Sequence, residues 1–311
     1  MDTLLFLRQT LESHSPHKLQ PHLLKLLPLI IITVNEDWLK IIAESLRVLG
    51  AFVIVARPNI NGNNQNNGNG NNGNNQNNGN NGNNNEGKEN EKNESEKSEN
   101  GKNYDFEKLV LPIFHAILPR LEALDIDQEI KECSISTIGT FFSIFGDKLI
   151  NGELSMVLGL LKKRLDNENT RLSTLKAISC MAKSNLNLDL NSILNDSTNE
   201  LSLFLRQKSR GLRQTTLQTL DSLILLKSKS NLNLNSNNNN NIDNNNNDQI
   251  FSTILHETSG LINDNDLHLT YLALNLTLTI LNCSTVAVKS VIQYIYPRTI
   301  ELIASPLLQG K

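Results

Sequence analysis

The sequence predicts an all-α protein built from stacked helical hairpins. Three observations carry this reading. A marker recurs about every 40 residues, apolar residues between markers fall at helical spacing, and Gly and Pro are few outside the low-complexity stretches.

The marker is an apolar or small residue followed by a basic one near the start of one helix in each pair. It occurs at Leu39-Lys40, Ile130-Lys131, Thr170-Arg171, Leu212-Arg213 and Leu267-His268. Successive basic members are 91, 40, 42 and 55 residues apart. Without the 45-residue insertion 59–103 the first gap becomes 46, and without the 17-residue tract Asn231 to Asn247 the last becomes 38. A period near 40 is that of HEAT and armadillo repeats, in which two antiparallel helices stack on the next pair. The predicted fold is therefore an α-α superhelix, a HEAT/armadillo-like solenoid of about six helical hairpins.

The helices are legible in the same pattern. Leu172, Leu175, Ile178 and Met181 are spaced by three, and Leu217, Leu220 and Ile224 at i, i+3, i+7, so each set forms one apolar face. The spacing predicts a first helix over 2–13. Pairs then follow at 17–34 with 37–55, 104–122 with 127–145, 152–165 with 168–183, 189–206 with 209–227 and 249–262 with 266–282. An unpaired helix covers 285–303. Short turns rich in Asp and Asn join the pairs, at Asn35–Asp37, Asp125–Asp127, Asp166–Glu168 and Asn263–Asp266, where they can accept from free N–H groups at the next helix start. One segment conflicts with the rest. Residues 268–281 alternate Leu with polar residues and Thr, which alone reads as a strand. Their place in the repeat, and the helical spacing of Leu269, Leu272 and Leu276, predict a helix, because a lone strand in a solenoid has no partner edge.

Two segments cannot join a core. Asn59 to Asn85 is almost all Asn, Gly and Gln and runs into Glu86–Lys102, a mix of Glu, Lys, Asn and Ser; the second tract spans Asn231 to Asn247. They bury too little apolar surface to offset the entropy of ordering. The expected organisation is repeats over 1–58, a disordered insertion over 59–103, repeats over 104–227, a disordered loop over 228–248, and repeats over 249–311 cut off at the C-terminus. Neither end reads as a polar capping repeat, so a portion of a longer repeat protein is expected.

Catalytic, metal and cofactor signatures are not found. His14, His17 and His22 lack a neighbouring Cys and are interrupted by Pro16 and Pro21, unlike zinc ligands. The DID of Asp125–Asp127 and the DND of Asp264–Asp266 lack the Gly and Glu of a calcium loop and read as helix caps. The Gly-rich tract has no Lys-Ser/Thr ending for phosphate, and no G-x-S-x-G elbow occurs. Cys133, Cys180 and Cys283 form no CxxC pair and are expected as small core residues in a reducing compartment. With no export signal, the Asn-x-Ser/Thr triplets at Asn93, Asn195, Asn275 and Asn282 are chance matches in an Asn-rich chain. A formal charge of −3 disfavours nucleic acid, and the most apolar run, Leu26 to Val34, is too short to cross a bilayer. A cytoplasmic or nuclear protein binder, not an enzyme, is expected.

One charged feature stands out. Arg206, Lys208, Arg210 and Arg213 cluster, and Lys162, Lys163, Arg164 and Arg171 lie a repeat earlier. Equivalent positions in stacked repeats form a stripe, so Arg206, Lys208, Arg210, Arg213 and Arg171 are candidates for gripping an acidic partner; the alternative is a merely solvated face.

Several stretches resemble one family in order along the chain. They are TVNEDWLKIIAESL (33–46) with ARP (56–58), DIDQEIKECSIS (125–136), RLDNENTRLSTLKAI (164–178), SLFLRQKSRGLRQTTLQTLDSLI (202–224) and SPLLQG (305–310). Together they resemble the central portion of the cullin-associated, neddylation-dissociated HEAT-repeat proteins; the Asn-rich insertions depart from that family. The resemblance implies a non-catalytic scaffold. It would bind cullins free of ubiquitin-like modifier together with their RING subunit, and promote receptor exchange and assembly of SCF-type cullin–RING ubiquitin ligases. No cofactor is implied, and no contact residue carries over. Other readings are a HEAT scaffold of the nuclear-transport or phosphatase type, or an inactive truncation.

Overall fold

The computed structural model describes residues 1–58, 105–234 and 241–308, with side chains described except at 151, 230–234 and 241–246. Among them every regular element is helical. The helices are α1 (Asp2–Ser13), α2 (Pro16–Val34), α3 (Leu39–Ala56), α4 (Glu107–Glu122), α5 (Gln128–Phe145), α6 (Asn151–Asp166), α7 (Glu168–Ala182), α8 (Asn191–Phe204), α9 (Arg210–Leu234), α10 (Asn241–Ser259) and α11 (Leu267–Cys283). A last helical run comprises α12 (Ala287–Ser290), a π turn over Val291–Ile295 and α13 (Tyr296–Ile303).

These elements form two layers. Every helix that carries the marker belongs to one row, in which α3, α5, α7, α9 and α11 pack side by side, with α1 against α3. Equivalent hydrogen bonds repeat along the row. Thr137 of α5 donates to the Leu46 carbonyl of α3 at 2.9 Å, and Thr219 of α9 to the Leu175 carbonyl of α7 at 3.1 Å. Thr279 of α11 donates to Asp221 of α9 at 2.6 Å. Each bond joins like positions, so the row is parallel. The even-numbered helices form a second, more loosely packed row. Closer spacing on one side curves a stack, which makes the marker row the inner one.

Small residues permit the tight inner row. A Cβ built on Gly139 of α5 would lie 2.7 Å from the Ala177 Cβ and 2.8 Å from its Cα. Between the layers, Phe114 of α4 packs with Phe141 and Phe142 of α5, ring centroids 5.9 and 6.1 Å apart, and Phe145 stacks on Phe106 at 5.8 Å.

The loose outer row is joined by arginines that reach the carbonyl ends of neighbouring helices. Arg120 of α4 donates to the Val34 carbonyl ending α2 at 3.0 Å. Arg164 of α6, buried, donates to Leu121 and Ala123 at the end of α4 at 2.6 and 2.7 Å. These carbonyls have no partner within their own helix, and cations suit that end of the dipole. Burial lowers the Arg164 pKa, so the charge is held there by these bonds.

Residues 268–281 are helical, as their place in the repeat predicted: Leu269, Ala273, Leu276 and Ile280 form the buried face of α11. Three other expectations need adjustment. Pro21 does not interrupt its segment but lies with Pro28 inside α2, both on the exposed side, while Leu23, Leu27, Ile30 and Val34 bury the other; Pro16 sits at the helix start, where no N–H is needed. Asp127, Asn167 and Asp266 cap as expected, but α3 starts behind Trp38, which leaves Asp37 one position too early to cap. Helix α9 continues to Leu234 and α10 starts at Asn241, so most of the expected loop 228–248 is helical; a packed helix adds one backbone bond for each further residue. The insertion 59–103 lies outside the described residues.

Gly139→Ala should destabilise by about 1–3 kcal/mol in urea unfolding, because the Ala177 backbone cannot yield. Gly159→Ala in α6, with nothing within 4 Å, should instead stabilise by about 0.5–1 kcal/mol. Arg164→Met should cost about 1.5–3 kcal/mol by leaving one buried and one partly buried carbonyl without their charged donor.

Candidate protein-binding surface

The inner row presents a groove of about 440 Å³ along α1, α3, α5 and α7, with Arg8, Arg47, Glu129, Cys133, Ser136 and Lys176 in its lining. Its charges are largely fixed by one buried carboxylate. Glu44, 2% exposed, accepts from Arg8 at 2.6 Å and from Arg47 at 3.1 Å, and Arg47 also donates to Glu129 of α5 at 2.5 Å. The network ties three successive helices of the inner row. Burial pushes the Cys133 thiol up to about 11, with Glu129, Glu132 and Glu44 adding to the rise and Arg47 opposing it. The thiol therefore stays protonated at neutral pH and is a poor nucleophile.

The basic residues singled out in the sequence meet different fates. Arg206 pairs with Glu257 of α10 through both guanidinium arms, which holds that carboxyl below the usual carboxylate range. Arg210 pairs with Asp266, at 2.6 and 3.1 Å, and crosses to the next hairpin. Arg171 donates to the Leu165 and Asp166 carbonyls at the end of α6, at 3.0 and 3.2 Å, and lies 4.4 Å from the centroid of the Phe204 ring. Arg213 is half-buried, and its Nε has no hydrogen-bond partner. Lys208 is exposed. The stack thus brings the candidates to one edge, but three of the five hold repeats together. Arg164, counted with the cluster in the sequence, is buried and belongs to the helix-end contacts.

Sequence reasoning missed the groove and the exposure of Trp38. The groove joins residues from helices separated by the long insertion, so no local signal announces it. Trp38 stands where α5, α7 and α11 carry a polar cap, and that anomaly was readable. Among the described residues no group of three or more His, Cys, Asp or Glu could hold a metal ion, and no helix is long and apolar enough to cross a membrane.

Two stacked rows of paired helices with a repeating inner contact define an α-solenoid of the helical-repeat class. A profile for the family described as "CAND1-like, TPR repeats" matches residues 1–138. The whole chain aligns, at 33% identity, with 21% of the Arabidopsis thaliana protein named "Cullin-associated NEDD8-dissociated protein 1". It aligns at 29% with 21% of the Drosophila melanogaster protein of that name. At 30%, 99% of it aligns with 20% of the Mus musculus "Cullin-associated NEDD8-dissociated protein 2". The chain is similar to the cullin-associated NEDD8-dissociated proteins, as the resemblance in its sequence implied, and spans about a fifth of the length of the curated relatives it matches, in their central portion.

Arg210 holds Asp266 at a pKa of about 2, with the Leu269 N–H assisting. A folded value below the unfolded one, about 3.9, contributes stability above pH 4 that is lost as pH falls through 2. Carboxyl NMR titration should show Asp266 at that low value, and Arg210→Ala should return it toward 4.

Proposed function

We propose that this chain is a non-catalytic scaffold segment that binds a cullin lacking NEDD8, together with its RING subunit, and takes part in exchange of substrate receptors on cullin–RING ubiquitin ligases. The observation that carries the reading is the alignment of essentially the whole chain with about a fifth of proteins named for cullin association and NEDD8 dissociation. The fold supports it physically. A curved stack presents an extended inner surface, and a surface of that kind suits a long partner better than a small substrate. The groove of the inner row, with Glu44, Arg8, Arg47 and Glu129 already paired, offers contacts to a partner rather than a reaction centre. The working surfaces are the inner face and the turn edge that carries Lys208, Arg213 and the paired Arg206, Arg210 and Arg171. Three free cysteines suit a reducing cytoplasm or nucleus, and no cofactor is required.

Calorimetric titration of the purified chain with a purified cullin–RING complex tests the reading. Binding of the unmodified complex, with at least about tenfold weaker binding of the NEDD8-conjugated one, is expected. Equal affinity for both forms, or none for either, would remove it.

A further inference from the structure

We propose that the turn edge of the first two hairpins is a docking surface, anchored on Trp38, for a protein partner that presents an apolar cleft rimmed by lysine or arginine. The proposal takes its test partner from the cullin reading above. Trp38, the chain's one tryptophan, is 74% exposed. Beside it Leu39 is 52% exposed, and Leu124, in the turn between α4 and α5, is 75% exposed. The Arg120–Val34 bond ties the end of α4 to the end of α2, which places the two turns side by side. Large apolar side chains grouped at a tip mark contact sites, and tryptophan is enriched among the residues that dominate binding.

The position has given up a stabilising role. The inner helices α5, α7 and α11 are capped by Asp127, Asn167 and Asp266, each accepting a backbone N–H. At the same place α3 has Trp38, which offers no acceptor and caps nothing. A residue that forgoes a cap and also exposes its ring contributes little to the fold, and such local conflicts collect at functional sites.

The charge around the ring sets the partner's chemistry. Glu36, Asp37, Glu122, Asp125 and Asp127 are all exposed, and none forms an ion pair among the described residues. The bases in or against these segments are Lys40, Arg120 and the buried Arg164; Arg120 is committed to the Val34 carbonyl and Arg164 to those of Leu121 and Ala123. Farther along the edge, by contrast, Arg206 and Arg210 are matched by Glu257 and Asp266. An aromatic ring inside a negative rim is complementary to an apolar cleft with a positive rim, and the long-range field speeds the encounter.

The test labels the chain with 5-fluorotryptophan, so that its single ¹⁹F resonance is read without interference from the partner. In the free chain, Trp38 emission should be that of a solvated indole and be quenched by caesium more than by iodide. Unmodified cullin–RING complex should shift the ¹⁹F resonance. Trp38→Ala should weaken calorimetric binding by about tenfold or more. Glu36→Gln/Asp37→Asn/Asp125→Asn should slow association and flatten its salt dependence, while Glu301→Gln, at the far end, should change neither; circular dichroism checks that each variant folds. A shielded Trp38, or stronger quenching by iodide, overturns the proposal whatever the partner. Binding with an unmoved resonance and an unaffected Trp38→Ala variant overturns it and leaves the cullin reading standing. No binding by the unaltered chain overturns both.

Discussion

The close parallel contact of the inner row is the constraint on which the rest of the structure depends. It is possible because small or hydroxylated residues sit where helix meets helix. Gly139 lets the Ala177 backbone approach to a distance no Cβ would allow, and Thr137 and Thr219 turn their hydroxyls onto carbonyls of the preceding helix. A threonine hydroxyl buried at such a contact must find an acceptor, so the same residue that permits the approach also fixes its register. Because each repeat supplies the same contact, order passes from neighbour to neighbour without a single central core.

The outer row cannot approach as closely once the inner row sets the curvature. Long side chains span the wider gap. Arg120 and Arg164 reach the carbonyl ends of α2 and α4. In the inner row an arginine serves the same kind of contact: Arg57 at the α3 end donates to the Ile144 carbonyl and to Asp147 beyond α5, at 2.8 and 2.5 Å. Arginine suits this work because its planar donors serve two acceptors at once and its charge survives partial burial. The consequence for function is that a basic residue in this sequence is not, by itself, a sign of a binding surface. Arg206 and Arg210 look like a positive patch in the chain and act as bridges in the stack.

The non-catalytic role proposed above agrees with how the titratable groups of the described residues are used. The carboxylate most removed from water, Glu44, is held by two arginines, and the Cys133 thiol is pushed up rather than down. An active site sets groups at odds with their surroundings so that protons or electrons can move; here Glu44, Glu129, Glu257 and Asp266 are paired with arginines of neighbouring elements, which suits a frame that keeps its shape while presenting a surface.

The sequence by itself determined the repeat length, most helices to within a few residues, the apolar faces and the family resemblance. All of these are carried by short-range periodicity or by ordered similarity along the chain. Even the alternating 268–281 segment was resolved by its place in the period. Only the tertiary structure decided where α9 ends and α10 begins, because packing of neighbouring turns carries helix into Asn-rich sequence of indifferent propensity. It alone decided which arginines are spent within the stack, since their partners lie some 40 to 90 residues away in sequence. It decided, too, that Trp38 faces solvent, because exposure depends on which turns the stack sets side by side and not on the residues that flank the ring.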